Sequence, residues 1–263
     1  MTVEFDALLP FAICQELGLG VGYERSFKLC PGKLLANRYL IGIPTAELAV
    51  DRARLIASRM NLPDLHPDTF WPLYHDANLF LIGFEDSGDR RVYKLYLEFD
   101  DEVLPAETVL KWKTDHRPRL LHRGVKWELN RPSTLRASDY VWLPGLDGES
   151  IRDAAQEIVG EYPVTKELIQ IIERSLSACP ADRLRFVDVR EGDRLSFDLN
   201  CYATGLSVDA VFGSCLEIAD RFGVRKRAET LRHLVKSAPL GHVAAGIDAA
   251  SNPFLTIYYE PID

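Results

Sequence analysis

The feature that most constrains this chain is a repeated alternation: aliphatic residues take every second position of several extended segments, while Lys, Arg, Asn and Tyr take the positions between them. Because successive side chains of a strand point to opposite faces, each such segment has one greasy face and one cationic and phenolic face. The segments come in pairs around short turns. Val21 to Cys30 and Leu35 to Ile43 flank Pro31-Gly32, and Asn78 to Glu85 and Arg91 to Asp100 flank Asp86-Ser87-Gly88-Asp89. Arg183 to Arg190 and Leu195 to Ala203 flank Glu191-Gly192-Asp193, and Gly241 to Asp248 and Phe254 to Glu260 flank Ala-Ala-Ser-Asn. Polar, Gly-containing loops between β-rich runs are the signature of hairpins. A less regular third region offers strands at Thr108 to Thr114, Leu121 to Asn130 and Asp139 to Leu143.

Helical spacing separates the pairs. It covers Thr45 to Met60, Glu149 to Val159, Val164 to Leu176, Ser207 to Arg221 and Val224 to Lys236, with Gly223 placed as a C-cap between the last two. Ten antiparallel strands must either protect their edges or close on themselves, and helices returning after the hairpins cover the aliphatic face. The expected fold is therefore α+β, a ten-stranded antiparallel β-barrel surrounded by helices. Periodicity alone does not separate it from an open α+β sandwich. Pro and Gly sit singly at turns and no Ser-rich stretch interrupts the series, so residues 1–263 are expected to form a single domain.

Composition narrows the partners. The chain has 263 residues, 47% of them hydrophobic, a formal charge of −8 and a pI near 5.3. That balance argues against a nucleic-acid binder, whose footprint is basic. It leaves room for a small anion, because a concave site obeys its nearby charges more than the net sum. The five cysteines, Cys14, Cys30, Cys179, Cys201 and Cys215, are widely spaced and form no C-x-x-C pair, which fits a reducing cytoplasm better than a disulfide framework or zinc knuckle. The N-terminus lacks a basic n-region and no apolar run is long enough for a membrane span.

Sorting the strands by parity gives the inward set. Leu95, Leu97 and Phe99 fall on the aliphatic face against Lys94 and Tyr96, and Leu195, Phe197, Leu199 and Cys201 against Ser196, Asp198, Asn200 and Tyr202. Val125, Trp127 and Leu129 oppose Lys126 and Glu128; Val243, Ala245 and Ile247 oppose His242; Leu255 and Ile257 oppose Thr256 and Tyr258. Early strands add Glu24, Ser26, Lys28 and Arg38, the third region Lys111 and Lys113, and the fourth hairpin Arg183 and Arg185. Buried cations are costly unless paired or ligand-bound, so a lumen holding this set favours a multivalent anion such as a diphosphate. On an open sheet the same residues would simply face water.

These patterns resemble the aromatic prenyltransferases of the αββα (ABBA) type, in which such repeats close the PT barrel. The best-matching motif is Val92-Tyr93-Lys94-Leu95-Tyr96, similar to the K-x-Y strand of that family. The resemblance implies that Lys94, with Lys28, Arg38, Arg183 and Arg185, holds a prenyl diphosphate, and Lys111, Lys126 and Asn200 share the inferred face. Tyr96, Tyr202 and Tyr258 would shield an allylic cation, and Glu24 resembles the early-strand carboxylate that orients an indole N–H in some members. Glu24, Asp198 and His242 are the candidate proton acceptors. The implied activity is transfer of a prenyl group from its diphosphate, a co-substrate, to an aromatic or electron-rich small molecule, with no resident cofactor. No D-D-x-x-D motif supports a magnesium-clustered isoprenoid synthase, and the acidic run Asp100-Asp101-Glu102 reads as a solvated strand end.

Other constellations are weaker. Trp112, Trp127 and Trp142 lie among Lys and Arg, but the acidic chain has no RNP-type motif. His116 and His122 are six apart, off the helical ligand spacing, and read as surface histidines. No G-x-S-x-G, Walker A or dinucleotide fingerprint is present. Two further readings stay open: a non-catalytic barrel that binds a hydrophobic or anionic metabolite, and an interaction protein built on an open sheet.

Overall fold

The computed structural model describes residues 3–63, 70–99, 117–129 and 131–261. The elements are α1 (Val3–Glu16), β1 (Gly22–Cys30), β2 (Lys33–Leu35), β3 (Arg38–Pro44), α2 (Val50–Arg59), β4 (Leu79–Asp86), β5 (Arg91–Glu98), β6 (Arg119–Glu128) and β7 (Arg131–Trp142). They continue with α3 (Gly148–Val159), α4 (Thr165–Ala178), β8 (Arg185–Glu191), β9 (Arg194–Asn200), α5 (Asp209–Arg221), α6 (Arg225–Val235), β10 (Leu240–Ile247) and β11 (Pro253–Tyr259).

Every neighbouring pair in the sheet is antiparallel, in the order β11-β10-β9-β8-β7-β6-β5-β4-β3-β1-β2, and β11 also pairs with β1. That last pairing, Arg25 with Tyr259 through Leu29 with Leu255, closes a ten-stranded barrel and leaves only the short β2 outside the ring. Closure removes the edges that an open sheet would expose. The open-sandwich reading is thereby excluded.

Sequence chemistry fixes the turns and the outer layer. Gly88 takes φ +83° in the β4–β5 turn and donates its N–H to Asp86 Oδ1 at 2.7 Å, and Gly192 takes φ +55° between β8 and β9. A Cβ would oppose both conformations. Asp147 caps α3 by accepting from the Ser150 N–H at 2.8 Å. The inner stripes of α3 and α4, including Ile151, Ala155, Leu168 and Ile171, pack on the outward residues Phe197, Leu199, Val243 and Leu255. A second cluster holds Ile41, Phe80, Ile82, Leu95 and Trp127 under α1 and α2, with Ile13 and Ile56 among its members. The sheet is therefore greasy outside and polar inside.

Several expectations change. The segment from Leu35 to Ile43 is broken: β2 ends at Leu35 and the barrel strand begins at Arg38. The third hairpin is β6 with β7, and Asp139 to Leu143 is the tail of a much longer strand that starts at Arg131. Strand β8 begins at Arg185, because Ala181–Arg183 forms a 3₁₀ turn. Helix α1, nearly apolar all round and containing Pro10, gave no amphipathic stripe to find. The strand expected at Thr108 to Thr114, with Lys111, Lys113, Trp112 and His116, and the run Asp100-Asp101-Glu102 lie outside the described residues. No helix among the described residues is long and apolar enough to cross a membrane.

Candidate active site

The register stacks inward-facing residues from different strands into rings. Leu40, Gly83, Lys94, Lys126 and Arg136 follow one another across β3 to β7, and Gly42, Leu81, Tyr96, Gly124 and Ser138 make the next ring. Gly124 is required by the ring above it: a Cβ there would lie 2.6 Å from Tyr96 Cδ1 and Cε1. Lacking one, Gly124 lets the Tyr96 ring lie across the neighbouring strand.

Two cavities occupy the lumen and share Arg38, Lys94, Tyr96, Tyr140 and Tyr258, which form a belt between them. One, about 570 Å³, lies at the end where the hairpin turns gather, and eight Lys and Arg side chains and five carboxylates line it. The other, about 370 Å³, lies at the end where the helices connect, with three Lys and Arg, four carboxylates and two histidines on its wall. The lumen is thus electrically divided.

At the belt, Glu85 holds two cations, Lys94 at 2.6 Å and Arg38 at 3.2 Å. Burial alone would raise the Glu85 carboxyl, but Arg38, Lys94 and Lys28 outweigh it and hold the group well below the usual carboxylate range. Burial pulls the Lys94 ammonium down to about 7 despite Glu85, with Arg38 and Lys126 adding to the fall. Arg38 is 5% exposed, donates to Thr256 Oγ1 at 3.4 Å, and its Nε has no hydrogen-bond partner among the described residues. A buried donor without a partner costs free energy that a bound anion would recover.

Below the belt, Glu191 accepts from Lys126 and lies 3.4 Å from Arg194. Lys28 and Arg194 both lie over the Phe254 ring, at 4.4 and 4.7 Å from its centroid. Burial, then Arg38 and Arg194, lower the Lys28 pKa against the opposing pull of Glu85.

Above the belt a hydrogen-bonded chain crosses the wall. Tyr202 Oη donates to Glu24 Oε2 at 2.7 Å, His242 Nε2 lies 3.1 Å from Glu24 Oε1, and His242 Nδ1 lies 2.6 Å from Asp198 Oδ2. Burial disfavours the imidazolium, yet Asp198 and Glu24 together raise His242 well above its ordinary value. The His242 ring stacks on Tyr258 at 3.8 Å and 10°. On the other side of the cavity, His122 Nε2 lies 3.1 Å from Glu98 Oε2, and edge-on aromatic contacts run from His122 to Tyr140 (5.4 Å) and from Tyr140 to Tyr96 (5.7 Å).

The lumen therefore gathers Glu24, Lys28, Arg38, Lys94, Tyr96, Lys126, Arg185, Asn200, Tyr202 and Tyr258 from the sequence candidates. Tyr202 is in the 3₁₀ turn after β9 and is 43% exposed, so it guards a mouth more than it walls a chamber. Arg185 lies over Trp142 at 5.4 Å and reaches only the cavity at the helix-connection end. Arg183 is a correction: it is exposed in its 3₁₀ turn and lines neither cavity. Lys111 lies outside the described residues. His122 is a second correction, since it lines the chamber instead of the surface. Tyr140, Glu85, Glu191 and Arg194 are site residues that sequence reasoning missed, although Tyr140 continues the alternation Arg136, Ser138, Tyr140 that marks an inward face.

No protein-family model matches this chain, and no curated protein sequence matches it. Solved structures do. The chain superposes on AnaPT from Neosartorya fischeri with a TM-score of 0.56 at 13% identity, over 92% of this chain and 78% of that one. Its fold is that of the aromatic prenyltransferases. A 6-dimethylallyltryptophan synthase from Micromonospora olivasterospora, solved in complex with DMASPP and Trp, matches with a TM-score of 0.58 at 14% identity, over 91% of this chain and 81% of that one. A second 6-dimethylallyl tryptophan synthase matches with a TM-score of 0.56 at 13% identity, over 98% and 96% of the two chains. At these identities the PT barrel is the shared property.

Proposed function

We propose that this protein transfers a prenyl group from a prenyl diphosphate to an aromatic or otherwise electron-rich small molecule. The observation that carries this reading is the belt of Arg38, Lys94, Tyr96, Tyr140 and Tyr258 between a cationic cavity and one whose charges nearly balance. Diphosphate belongs at the hairpin end, where cations outnumber carboxylates by three and Arg38 has an unused donor. Fixed Lys and Arg groups stabilise charge as it develops on the leaving group, without reorganising at the moment of reaction. The phenol faces of Tyr96, Tyr140 and Tyr258 attract the allylic cation and keep out water that would quench it. The acceptor occupies the other cavity, where Glu24 accepts a hydrogen bond from its N–H or O–H. A resident metal is not required by this scheme, and Lys28, Lys126 and Arg194 supply the countercharge.

The test is a pyrophosphate-release assay with dimethylallyl, geranyl and farnesyl diphosphates against a pool of indoles and phenols, preceded by a thermal-shift screen of the same donors. A ligand that binds only the native state raises the apparent stability. Release that disappears in Lys94→Ala is the expected result. A donor that shifts the melting temperature but yields no pyrophosphate with any acceptor would instead make the barrel a carrier.

A further inference from the structure

Alkylation of an aromatic ring leaves a cation that must lose a proton, and the lumen contains two histidines that could take it. Their surroundings differ. His242 has both ring nitrogens engaged, Nδ1 by Asp198 and Nε2 by Glu24, and the two carboxylates keep it charged. A doubly bonded imidazolium has no lone pair to offer. Glu24 accepts from Tyr202 and His242, which outweigh burial and lower its carboxyl, so it is a weak base that can still accept a hydrogen bond through its remaining lone pairs. His122 has a single carboxylate, Glu98, on Nε2, and its Nδ1 has no hydrogen-bond partner among the described residues.

We infer that His122 is the general base of the reaction, oriented by Glu98 through an Nε2–H donor so that Nδ1 carries the free lone pair. The inference rests on the prenyl-transfer reading. Three features place His122 where the proton is lost. It lines the acceptor cavity, it packs edge-on against Tyr140, and Tyr140 packs on Tyr96 of the belt where the prenyl cation would form. The charged and titratable groups facing it are Glu98 on β5, Tyr140 on β7 and, across the cavity, Glu24 on β1. A carboxylate behind an imidazole fixes its tautomer and stabilises the imidazolium that forms.

The C1–O bond to diphosphate breaks first, the diphosphate leaving with the electron pair and an allylic cation remaining at C1, and the ring π pair of the acceptor then forms the bond to C1. The C–H pair of the resulting arenium then returns to the ring and the proton passes to Nδ1 of His122. Glu98 is a positioning residue in this scheme, because it acts through the imidazole.

The experiment uses the full chain with dimethylallyl diphosphate and perdeuterated indole. His122→Gln keeps a donor for Glu98 but has no basic nitrogen. It should lower kcat on the order of 100-fold, the usual contribution of a positioned base, while scrambling of a bridging oxygen label in the donor continues. A primary deuterium effect absent from the wild type should appear. Glu98→Gln should reduce kcat less and bring out a smaller primary deuterium effect. A His122→Gln protein that melts like the wild type and turns over at its rate without an isotope effect overturns the assignment. A wild type that neither scrambles the label nor releases pyrophosphate with any donor removes the transferase reading, and the assignment falls with it.

Discussion

The two ends of the lumen are built from the same strands yet differ in electrical character. At the hairpin end, carboxylates serve cations: Glu85 and Glu191 each hold two of them and leave a surplus of positive charge. At the helix-connection end the arrangement reverses, and Glu24 and Asp198 hold a single imidazole between them. A buried charge is tolerated when paired, but a pair with an odd charge left over is tuned to a ligand of the opposite sign. On the proposed function, the anion binds at one end and a hydrogen-bond donor at the other.

The largest effect that would break this division comes from Lys94, which touches both cavities. Lys94→Ala is expected to lower pyrophosphate release on the order of 100-fold or more, as for loss of one preorganised electrostatic group, read as kcat/KM against the wild type. Unchanged turnover would remove the belt from the mechanism. Next in size, Arg194→Gln should weaken binding of inorganic diphosphate on the order of tenfold, the usual worth of one charge-assisted hydrogen bond. Asn200→Ala, at the other end, should leave that affinity unchanged. Titration calorimetry on both variants decides whether the two ends are independent.

A smaller effect follows from Lys94 titrating at about 7 in the free protein. A bound diphosphate raises that value, so binding takes up a proton above neutrality. Affinity should be flat below about pH 7 and fall as pH rises beyond it, and calorimetry in buffers of different ionisation enthalpy should detect the uptake. The smallest effect concerns His242. Its folded pKa is raised, so its contribution to stability is complete below the unfolded value and is lost as pH rises through the folded one. Melting curves from neutral to alkaline pH should show this loss in the wild type and not in His242→Asn.

Much of this was legible in the sequence where alternation was strict. In β5 and β9 every second residue changes character, so parity alone sent Lys94, Tyr96, Asp198 and Asn200 inward and Leu95, Leu97, Phe197 and Leu199 outward. It failed where both faces were apolar. In β4 the run Leu79 to Phe84 faces core on one side and lumen on the other with hydrophobic residues throughout, and this hid the parity of Glu85 at its end. β7 opens at Arg131, well ahead of the Asp139 expected, and β9 opens at Arg194, just ahead of Leu195. Leu195, assigned to the aliphatic face by parity, is 60% exposed because it stands at the rim beyond the helices. Ion pairs between distant strands, such as Lys126 with Glu191, depend on closure and left no local trace.

The β1–β11 seam has a consequence for how the molecule comes into being. Each hairpin can form from neighbours in sequence, but the seam joins Phe27 to Ile257, so the most distant contact completes the ring. Contacts of such span carry the largest loop-closure cost and tend to arrive late. Until that seam zips, Arg38 and Tyr258 have no shared solvent-shielded space, and a nascent chain has no enclosed lumen before its synthesis has passed β11.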